Sequence, residues 1–336
     1  MAEVALANVG KRYGPTVAVD AMSLEVPDGA FFVLLGPTGA GKTTTLRLIA
    51  GLERPDAGDI RIAGRSVLGE TPAERNVAMV FQQYSLYPHM TVRENLAFPL
   101  RSPMLRTPAP EIARKVGEVA EVLRIAHKLD NRATALSGGE MQRVSIGRAL
   151  VRDPQIHLMD EPLSSLDAKL RADLRVELKR IQAGLGATML YVTHDQIEAM
   201  TMATQVGVLD AGRLVQVGTP REIYEDPVSL YVAGRLGLPR INALPADLFA
   251  GAPPGAATIG LRPEHIAHGT GKPSRVVRVE HLGDQTRLHL TLDGHDIVTL
   301  ADVHTDLVPG DTLAIQPRNA LYFDALGARI RGGGFA

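Results

Sequence analysis

The 336-residue sequence contains no cysteine and no tryptophan, and only seven of its 36 cationic side chains are lysines. Without cysteine there is no disulfide, no thiol nucleophile and no thiolate metal site. An excess of either charge is missing too: 36 Lys+Arg stand against 37 Asp+Glu, a formal net charge of −1. A general nucleic-acid binder needs surplus positive charge to displace counterions, so no nucleic-acid partner is expected. Long apolar runs are also lacking. The richest, residues 30–35, is strand-sized and far short of the roughly 20 residues that span a bilayer. The start, Met1-Ala2-Glu3-Val4, has no basic stretch leading into an apolar one, so no secretory signal is expected. These absences predict a soluble cytoplasmic chain, long enough for one large domain and one small one.

What is present follows two patterns. Over residues 1–235, short apolar runs alternate with helical patterns, which predicts an α/β fold on a mostly parallel sheet. Three runs matter: Phe31-Phe32-Val33-Leu34-Leu35, Ile156-His157-Leu158-Met159 and Met189-Leu190-Tyr191-Val192. Each stops at polar residues or glycine, and parallel sheets collect their ligands beyond such carboxyl ends. A Pro-rich stretch over 99–110 precedes a helical run over 111–126. Composition shifts near Leu238-Pro239-Arg240, and the period then becomes two, with leucine at every second position of Thr286-Arg287-Leu288-His289-Leu290-Thr291-Leu292. With turn residues at Asp293-Gly294 and Pro309-Gly310-Asp311, residues 236–336 are expected to form a small antiparallel β domain. His281, His289, His295 and His304 lie there at irregular spacings that do not suit a metal site.

After the run ending at Leu35 comes Gly36-Pro37-Thr38-Gly39-Ala40-Gly41-Lys42-Thr43-Thr44. Two glycines, a lysine and a hydroxyl residue at these spacings form the Walker A pattern. Glycine lets the backbone wrap closely enough for successive N–H groups to face a phosphate, and the following helix N-terminus adds positive potential. Lys42 is expected to reach the β- and γ-phosphates of ATP, and Thr43 to hold Mg²⁺ through its hydroxyl.

The run over 156–159 ends in Asp160-Glu161-Pro162. An aspartate ending a buried strand beside a phosphate loop is the Walker B arrangement and orders the Mg²⁺ shell. Glu161 points to the other side and is free to polarise a water as general base. The third run ends in Thr193-His194-Asp195, where a neutral imidazole can hydrogen-bond the γ-phosphate and the attacking water. Another glycine motif, Leu136-Ser137-Gly138-Gly139-Glu140, opens a helix running to about Val151. Ser-x-x-Glu is by itself a capping box. It leaves unexplained two glycines where glycine weakens a helix, and glycines at a helix N-terminus suit close approach to an anion.

The order of these motifs, with Gln82 after the strand-like 77–81 and Ser165-Leu166-Asp167 after Walker B, resembles the ATP-binding-cassette (ABC) ATPases. Val80-Phe81-Gln82-Gln83-Tyr84-Ser85-Leu86-Tyr87-Pro88-His89 and Tyr191-Val192-Thr193-His194-Asp195-Gln196-Ile197-Glu198-Ala199-Met200 are similar to the maltose-type carbohydrate importers. Gly260-Leu261-Arg262-Pro263-Glu264-His265 is similar to the start of that family's C-terminal, OB-like transport-associated domain. The resemblance implies a P-loop nucleotide-binding domain with a helical subdomain over 1–235 and the OB-like β domain over 236–336.

The resemblance also assigns roles. Tyr13 stacks on adenine, and Gly36, Pro37, Thr38, Gly39, Ala40, Gly41, Lys42, Thr43 and Thr44 hold the phosphates. Mg²⁺ is held through Thr43, Gln82 and Asp160, while Glu161, His194 and Gln82 drive hydrolysis. Ser137, Gly138, Gly139 and Glu140 meet the ATP of the other subunit in a head-to-tail homodimer, and Ser165, Leu166 and Asp167 couple the two sites. The implied partners are two transmembrane permeases, docked on residues 84–100, and an external solute-binding protein acting through them. The chain would sit on the inner face of the cytoplasmic membrane and power uptake of a carbohydrate or sugar derivative. The same machinery could import a polyamine, iron or a phosphate ester; a soluble ABC protein of DNA repair or ribosome work would call for coiled coils or tandem cassettes.

There are departures. The family usually has Gln-Arg where this chain has Glu140-Met141, and a carboxylate near ATP is unfavourable unless capping turns it away. His157 interrupts a strand that is otherwise aliphatic, and Thr43 and Ala40 replace the commoner Ser and Cys. None removes a catalytic group, so an active ATPase is expected.

Overall fold

The computed structural model describes residues 2–103 and 105–331. Contacts divide the chain into a first unit ending at Pro220 and a second beginning at Arg221.

In the first unit, β1 (Val4–Tyr13) and β2 (Thr16–Val26) pair antiparallel, and β3 (Phe31–Leu35) leads through the glycine loop into α1 (Lys42–Ala50). Then come β4 (Ala57–Ile62), β5 (Arg65–Ser66), β6 (Val77–Val80), α2 (Val92–Ala97), α3 (Ala109–Val122), α4 (Gly138–Leu150) and β7 (Ile156–Asp160). The unit closes with α5 (Ala168–Leu185), β8 (Met189–Thr193), α6 (Gln196–Met202), β9 (Gln205–Asp210) and β10 (Arg213–Gly218). The central sheet runs β10-β9-β3-β8-β7-β6, parallel except for β10. Every residue of β3, β7 and β8 is buried, as parallel strands covered on both faces require. Each such large apolar side chain contributes on the order of 2 kcal/mol. Helices α2, α3 and α4 pack on one another as a helical subdomain.

The expectation of one mostly parallel sheet holds for the central sheet and misses β1, β2, β4 and β5. These form a second, antiparallel sheet, β2-β1-β4-β5. The reason is connection length: Gly14 and Pro15 alone separate β1 from β2, far too few residues for the crossover that parallel pairing needs. Val4, Leu6, Met22 and Leu24 of this sheet share one core with Leu46 and Ile49 of α1 and with Phe32, Leu34, Leu158 and Leu190 of the central sheet.

His157 is buried at the second position of β7, and its Nδ1 has no hydrogen-bond partner among the described residues. Burial pushes its pKa down to about 4, with Asp153 acting weakly the other way. The ring is therefore neutral in the fold near pH 7.

The second unit is antiparallel throughout. After α7 (Pro220–Glu225) and α8 (Leu230–Ala233) come β11 (Asn242–Pro245), β12 (Thr258–Leu261), β13 (Ile266–His281), β14 (Thr286–Leu292), β15 (His295–Ala301), β16 (Thr312–Pro317), β17 (Leu321–Phe323) and β18 (Arg329–Ile330). They form two four-stranded sheets, β11-β12-β17-β18 and β15-β14-β13-β16. The alternation of β14 puts Leu288, Leu290 and Leu292 in the core while Arg287, His289 and Thr291 stay partly exposed. Asp293 and Gly294, at φ 49° and 82°, make the tight turn into β15. The unit begins ahead of the composition change because Arg262 holds the preceding segment. Its guanidinium donates to the carbonyls of Ala233 (3.0 Å), Leu236 and Tyr224 (2.9 Å) and lies 3.8 Å from the Tyr224 ring centre.

Candidate nucleotide site

The glycine loop bridges the end of β3 and the start of α1, the place where a parallel sheet presents its ligands. Gly41 stands at φ 95°, and a Cβ there would lie 2.3 Å from the Ala18 carbonyl oxygen, so only glycine fits. Helix α1 has no side-chain cap and no acid in its first turn, leaving its N-terminal dipole for an anion. Lys42 is 4% exposed. Its Nζ donates to the carbonyls of Gly36 (2.9 Å) and Pro37 (3.0 Å), so the loop folds back over its own lysine.

Thr43 Oγ1 donates to Asp160 Oδ1 at 2.8 Å. Burial raises the Asp160 carboxyl above its usual range, and the Thr43 bond opposes that. A hydroxyl and a carboxylate on facing elements are oxygen donors of the kind that suit Mg²⁺, which takes one or two carboxylates and completes its shell with phosphate and water. Among the described residues no group of three or more His, Asp or Glu could hold a metal alone.

Glu161 follows at φ 44°, the left-handed region that non-glycine residues seldom occupy. Its two carboxylate oxygens face different partners: Oε1 lies 3.3 Å from Lys42 Nζ and Oε2 lies 3.0 Å from His194 Nδ1. The carboxylate is largely enclosed, while His194 is exposed. In the tautomer whose Nδ1–H donates to Glu161, Nε2 is left as an acceptor towards solvent. The arrangement can hold a proton acceptor between a fixed cation and an orienting imidazole.

Tyr13, 43% exposed, lies at the end of β1 with Lys11 Nζ 5.3 Å from its ring centre. Burial first and Glu53 second raise its hydroxyl pKa, and a hydrogen bond with Thr44 acts the other way. The ring thus neighbours the phosphate loop. Gln82 lies two residues beyond β6, which pairs with β7 from Val77↔Ile156 to Val80↔Met159, so it stands at the same sheet edge as Asp160. Its side chain is exposed and makes no hydrogen bond among the described residues.

The remaining candidates are tied into their own helices. Ser137 is the N-cap of α4 in a complete capping box: its N–H donates to Glu140 Oε2 (2.8 Å), its hydroxyl to the same oxygen (3.0 Å), and Glu140 N–H returns to Ser137 Oγ (3.4 Å). The Ser137 backbone N–H holds the Glu140 carboxyl below its usual range, helped by Lys128 at 3.1 Å. The unusual carboxylate is therefore turned into the cap. Gly139 has an intramolecular reason that the sequence did not suggest: a Cβ there would stand 2.1 Å from Leu170 Cδ2. With Leu170 in this rotamer only glycine fits at 139, and a larger residue would make the Leu170 side chain turn aside. Asp167 caps α5 through the Leu170 N–H (3.0 Å), Ser165 Oγ lies 3.1 Å from the Tyr84 hydroxyl, and Leu166 is buried. Among the described residues, no hydrogen bond or ion pair joins Gln82, Ser137, Gly138, Gly139, Glu140, Ser165, Leu166 or Asp167 to the Lys42–Thr43–Asp160–Glu161–His194 cluster.

Two residues around this cluster escaped the sequence reading. Glu198 is buried behind His194 and accepts from Tyr191 (2.8 Å) and Thr193 (2.6 Å), and its position one helical turn past the histidine was the available signal. Arg171, four residues after Asp167, reaches the backbone between Glu161 and α5.

Comparison with known proteins agrees with this geometry. Residues 19–164 match the ABC transporter family and residues 259–322 the TOBE domain. An uncharacterised ABC transporter ATP-binding protein, y4oS of Sinorhizobium fredii, is 44% identical over 99% of this chain and 96% of its own length. The sn-glycerol-3-phosphate import ATP-binding protein UgpC of a Ruegeria species is 45% identical over 96% of this chain and 97% of its own. The UgpC of Brucella abortus is 48% identical over 89% and 90% respectively. Among solved structures, the ADP conformation of MJ1267, an ATP-binding cassette of an ABC transporter, superposes with a TM-score of 0.61 at 26% identity, covering 69% of this chain and 98% of that one. The dimeric bacterial cassette MJ0796 gives 0.58 at 29% identity, covering 65% and 99%. Cassette and β domain are thus matched in one chain, in the order its relatives have them, and the protein belongs to the ABC transporter ATP-binding family, as an importer-type ATPase whose cassette is followed by a TOBE domain.

Proposed function

We propose that this chain works as a head-to-tail homodimer on the inner face of the cytoplasmic membrane, beneath two permeases fed by an external solute-binding protein. In this reading ATP hydrolysis drives uptake of a sugar derivative, a small phosphorylated polyol of the glycerol-3-phosphate kind. The observation that carries the hydrolytic role is Glu161, its carboxylate held 3.3 Å from Lys42 and 3.0 Å from His194. Lys42 and the N–H groups of the loop bind the phosphates, and Tyr13 receives the adenine. Thr43, Asp160 and Gln82 would hold Mg²⁺, which neutralises charge on the phosphate oxygens. Glu161 takes a proton from the attacking water, and His194 keeps that water and the γ-phosphate in line. Ser137, Gly138, Gly139 and Glu140 cover the ATP of the partner subunit, and Ser165, Leu166 and Asp167 carry the state of one site to the other. ATP touched from both subunits binds the closed dimer more tightly, which is the differential affinity that any such switch needs.

The permease reading is supported by a cavity of about 930 Å³ beside Gln82, lined by Phe81, Tyr84, Phe98, Pro99, Arg101 and Arg148. Tyr87 does not line it. Its ring packs on Phe98 at 4.4 Å between centres and under the Arg148 guanidinium at 4.8 Å, as internal support for the groove. The cargo reading is supported by relatives named for sn-glycerol-3-phosphate import at 45–48% identity. It is tested by co-purification from solubilised membranes followed by reconstitution into proteoliposomes. ATP-dependent uptake of glycerol 3-phosphate in preference to maltose is the expected result; recovery of no membrane protein would overturn the importer reading, and preference for maltose the cargo.

A further inference from the structure

We infer that Arg171 is a positioning residue for ATP hydrolysis: its guanidinium clamps the backbone that follows Glu161 to the acid that follows His194. This rests on the reading of Glu161 and His194 as the hydrolytic pair.

The need for a clamp begins at Glu161. Its left-handed backbone costs on the order of 1 kcal/mol and persists only where the surroundings hold it. The chain then turns tightly, with Ser164 donating both its N–H (3.2 Å) and its hydroxyl (2.9 Å) to the Glu161 carbonyl and the Leu166 N–H bonding Leu163 O. Such a turn leaves carbonyls outside any helix or ladder. Arg171, in the first turns of α5, gathers them: Nε donates to Leu163 O (3.2 Å), and one terminal nitrogen to Ser164 O (3.3 Å) and Leu166 O (2.8 Å). The planar fork of arginine can serve several acceptors at fixed angles; a lysine ammonium offers one centre.

The other terminal nitrogen lies 3.7 Å from Asp195 Oδ2. Asp195 divides its oxygens, because Oδ1 caps α6 through the N–H groups of Ile197 (2.7 Å) and Glu198 (3.4 Å). Its own N–H donates to Thr193 Oγ1 (2.9 Å), which in turn donates to the buried Glu198 carboxylate. His194 is thus flanked by two residues fixed from below, while among the described residues its ring is bonded only to Glu161. The Glu161 N–H already donates to Val192 O (3.1 Å) at the end of the β7–β8 ladder, and Arg171 adds a second link on the far side, from the turn after Glu161 to the residue after His194, that holds the two side chains in register. A shift of about 1 Å at such a pair can cost about a hundredfold in rate.

The test uses the full-length protein in detergent with its permeases, measuring kcat, KM, ATP affinity and melting temperature for Arg171→Met, Arg171→Lys, Asp195→Asn and the Arg171→Met/Asp195→Asn double variant. Asparagine keeps the α6 cap but removes the charge that faces Arg171. Arg171→Met is expected to lower kcat tenfold to a hundredfold with ATP affinity within about twofold, and Arg171→Lys to recover part of it. The double variant should lose no more kcat than Arg171→Met alone, since both break one link. An unchanged kcat per folded molecule, a loss seen wholly in ATP affinity, or additive losses would overturn the assignment. Should Arg171→Met fail to fold, Arg171→Lys and Asp195→Asn decide by the same kcat-against-KM split. Glu161→Gln run alongside separates the two readings: full turnover there would refute the hydrolytic pair, whereas a dead Glu161→Gln with a normal Arg171→Met would refute the clamp alone.

Discussion

The phosphate loop and the Ser137–Glu140 segment are both glycine-rich helix starts, and they are built on opposite plans. At the loop, α1 has no cap, and its lysine, threonine and neighbouring acids bond across three strands: Lys42 to Glu161, Thr43 to Asp160, Glu161 to His194. In the Ser137–Glu140 segment every polar group closes on its own surroundings, Ser137 on Glu140 and Glu140 on Lys128. The loop is a site assembled within one chain, whereas the capped segment taken in isolation has the form of an ordinary helix cap. Under the proposed head-to-tail pairing, the half of a site donated to a partner has to be stable while alone, and a self-satisfied cap meets that condition. The same holds for Asp167, which caps α5.

Breaking the assembled half should cost most. Glu161→Gln keeps the shape but removes the proposed base, and turnover should fall by about 10²–10⁴-fold while ATP binding survives and traps a dimer. Size-exclusion chromatography with ATP and a phosphate-release assay check both, and normal turnover would end the base assignment. Lys42→Ala removes a buried ammonium that also braces two loop carbonyls, so ATP affinity should drop by roughly 10–150-fold, read by nucleotide titration. Gly139→Ala places a methyl against the Leu170 side chain, which must turn aside, and should cost no more than about 1 kcal/mol in chemical denaturation. Full stability with lost ATPase would instead favour the anion as the reason for that glycine.

His157 probes the strand beneath the assembled half. Its folded pKa of about 4 lies below the ordinary value near 6.5, so the unfolded chain binds more protons between those values. Stability therefore falls as pH drops from about 6.5 towards 4, by at most about 3 kcal/mol from this group. His157→Leu should raise the melting temperature, more at pH 5 than at pH 8; an equal rise at both would sink the titration account. The smallest effect is expected from Glu140→Gln, which keeps an oxygen for the Ser137 N–H and loses only the Lys128 pair. Its activity should stay within about twofold, as partly exposed ion pairs contribute roughly 0–1 kcal/mol. A severe loss would show that the carboxylate acts beyond the cap.

Legibility in the sequence followed the range of the physics. Local rules were enough for the Walker loop, where glycine spacing dictates backbone shape, and for β14, where alternation alone puts three leucines inwards. The antiparallel sheet of β1, β2, β4 and β5 is hidden in the sequence because β1 and β2 break their own alternation. Register shifts interrupt β1, and Asn8 and Ala21 adopt positive φ, so the period of two is broken within each strand and survives only in short stretches such as Met22-Ser23-Leu24-Glu25-Val26. Arg171 was invisible for another reason: most of its partners are backbone carbonyls, which carry no residue signature, and its one carboxylate partner, Asp195, lies 24 residues away. The closeness of Gly139 to Leu170 depends on how two helices, about thirty residues apart in sequence, meet in space.

The left-handed backbone at Glu161 has an evolutionary consequence. Glycine or asparagine would sit at φ 44° with less strain, so the fold by itself favours either over glutamate. A library selected for thermal stability alone should therefore drift to glycine or asparagine at 161 and lose its ATPase. Under the proposed reading of Glu161 as the base, glutamate there serves turnover against the preference of the chain that carries it.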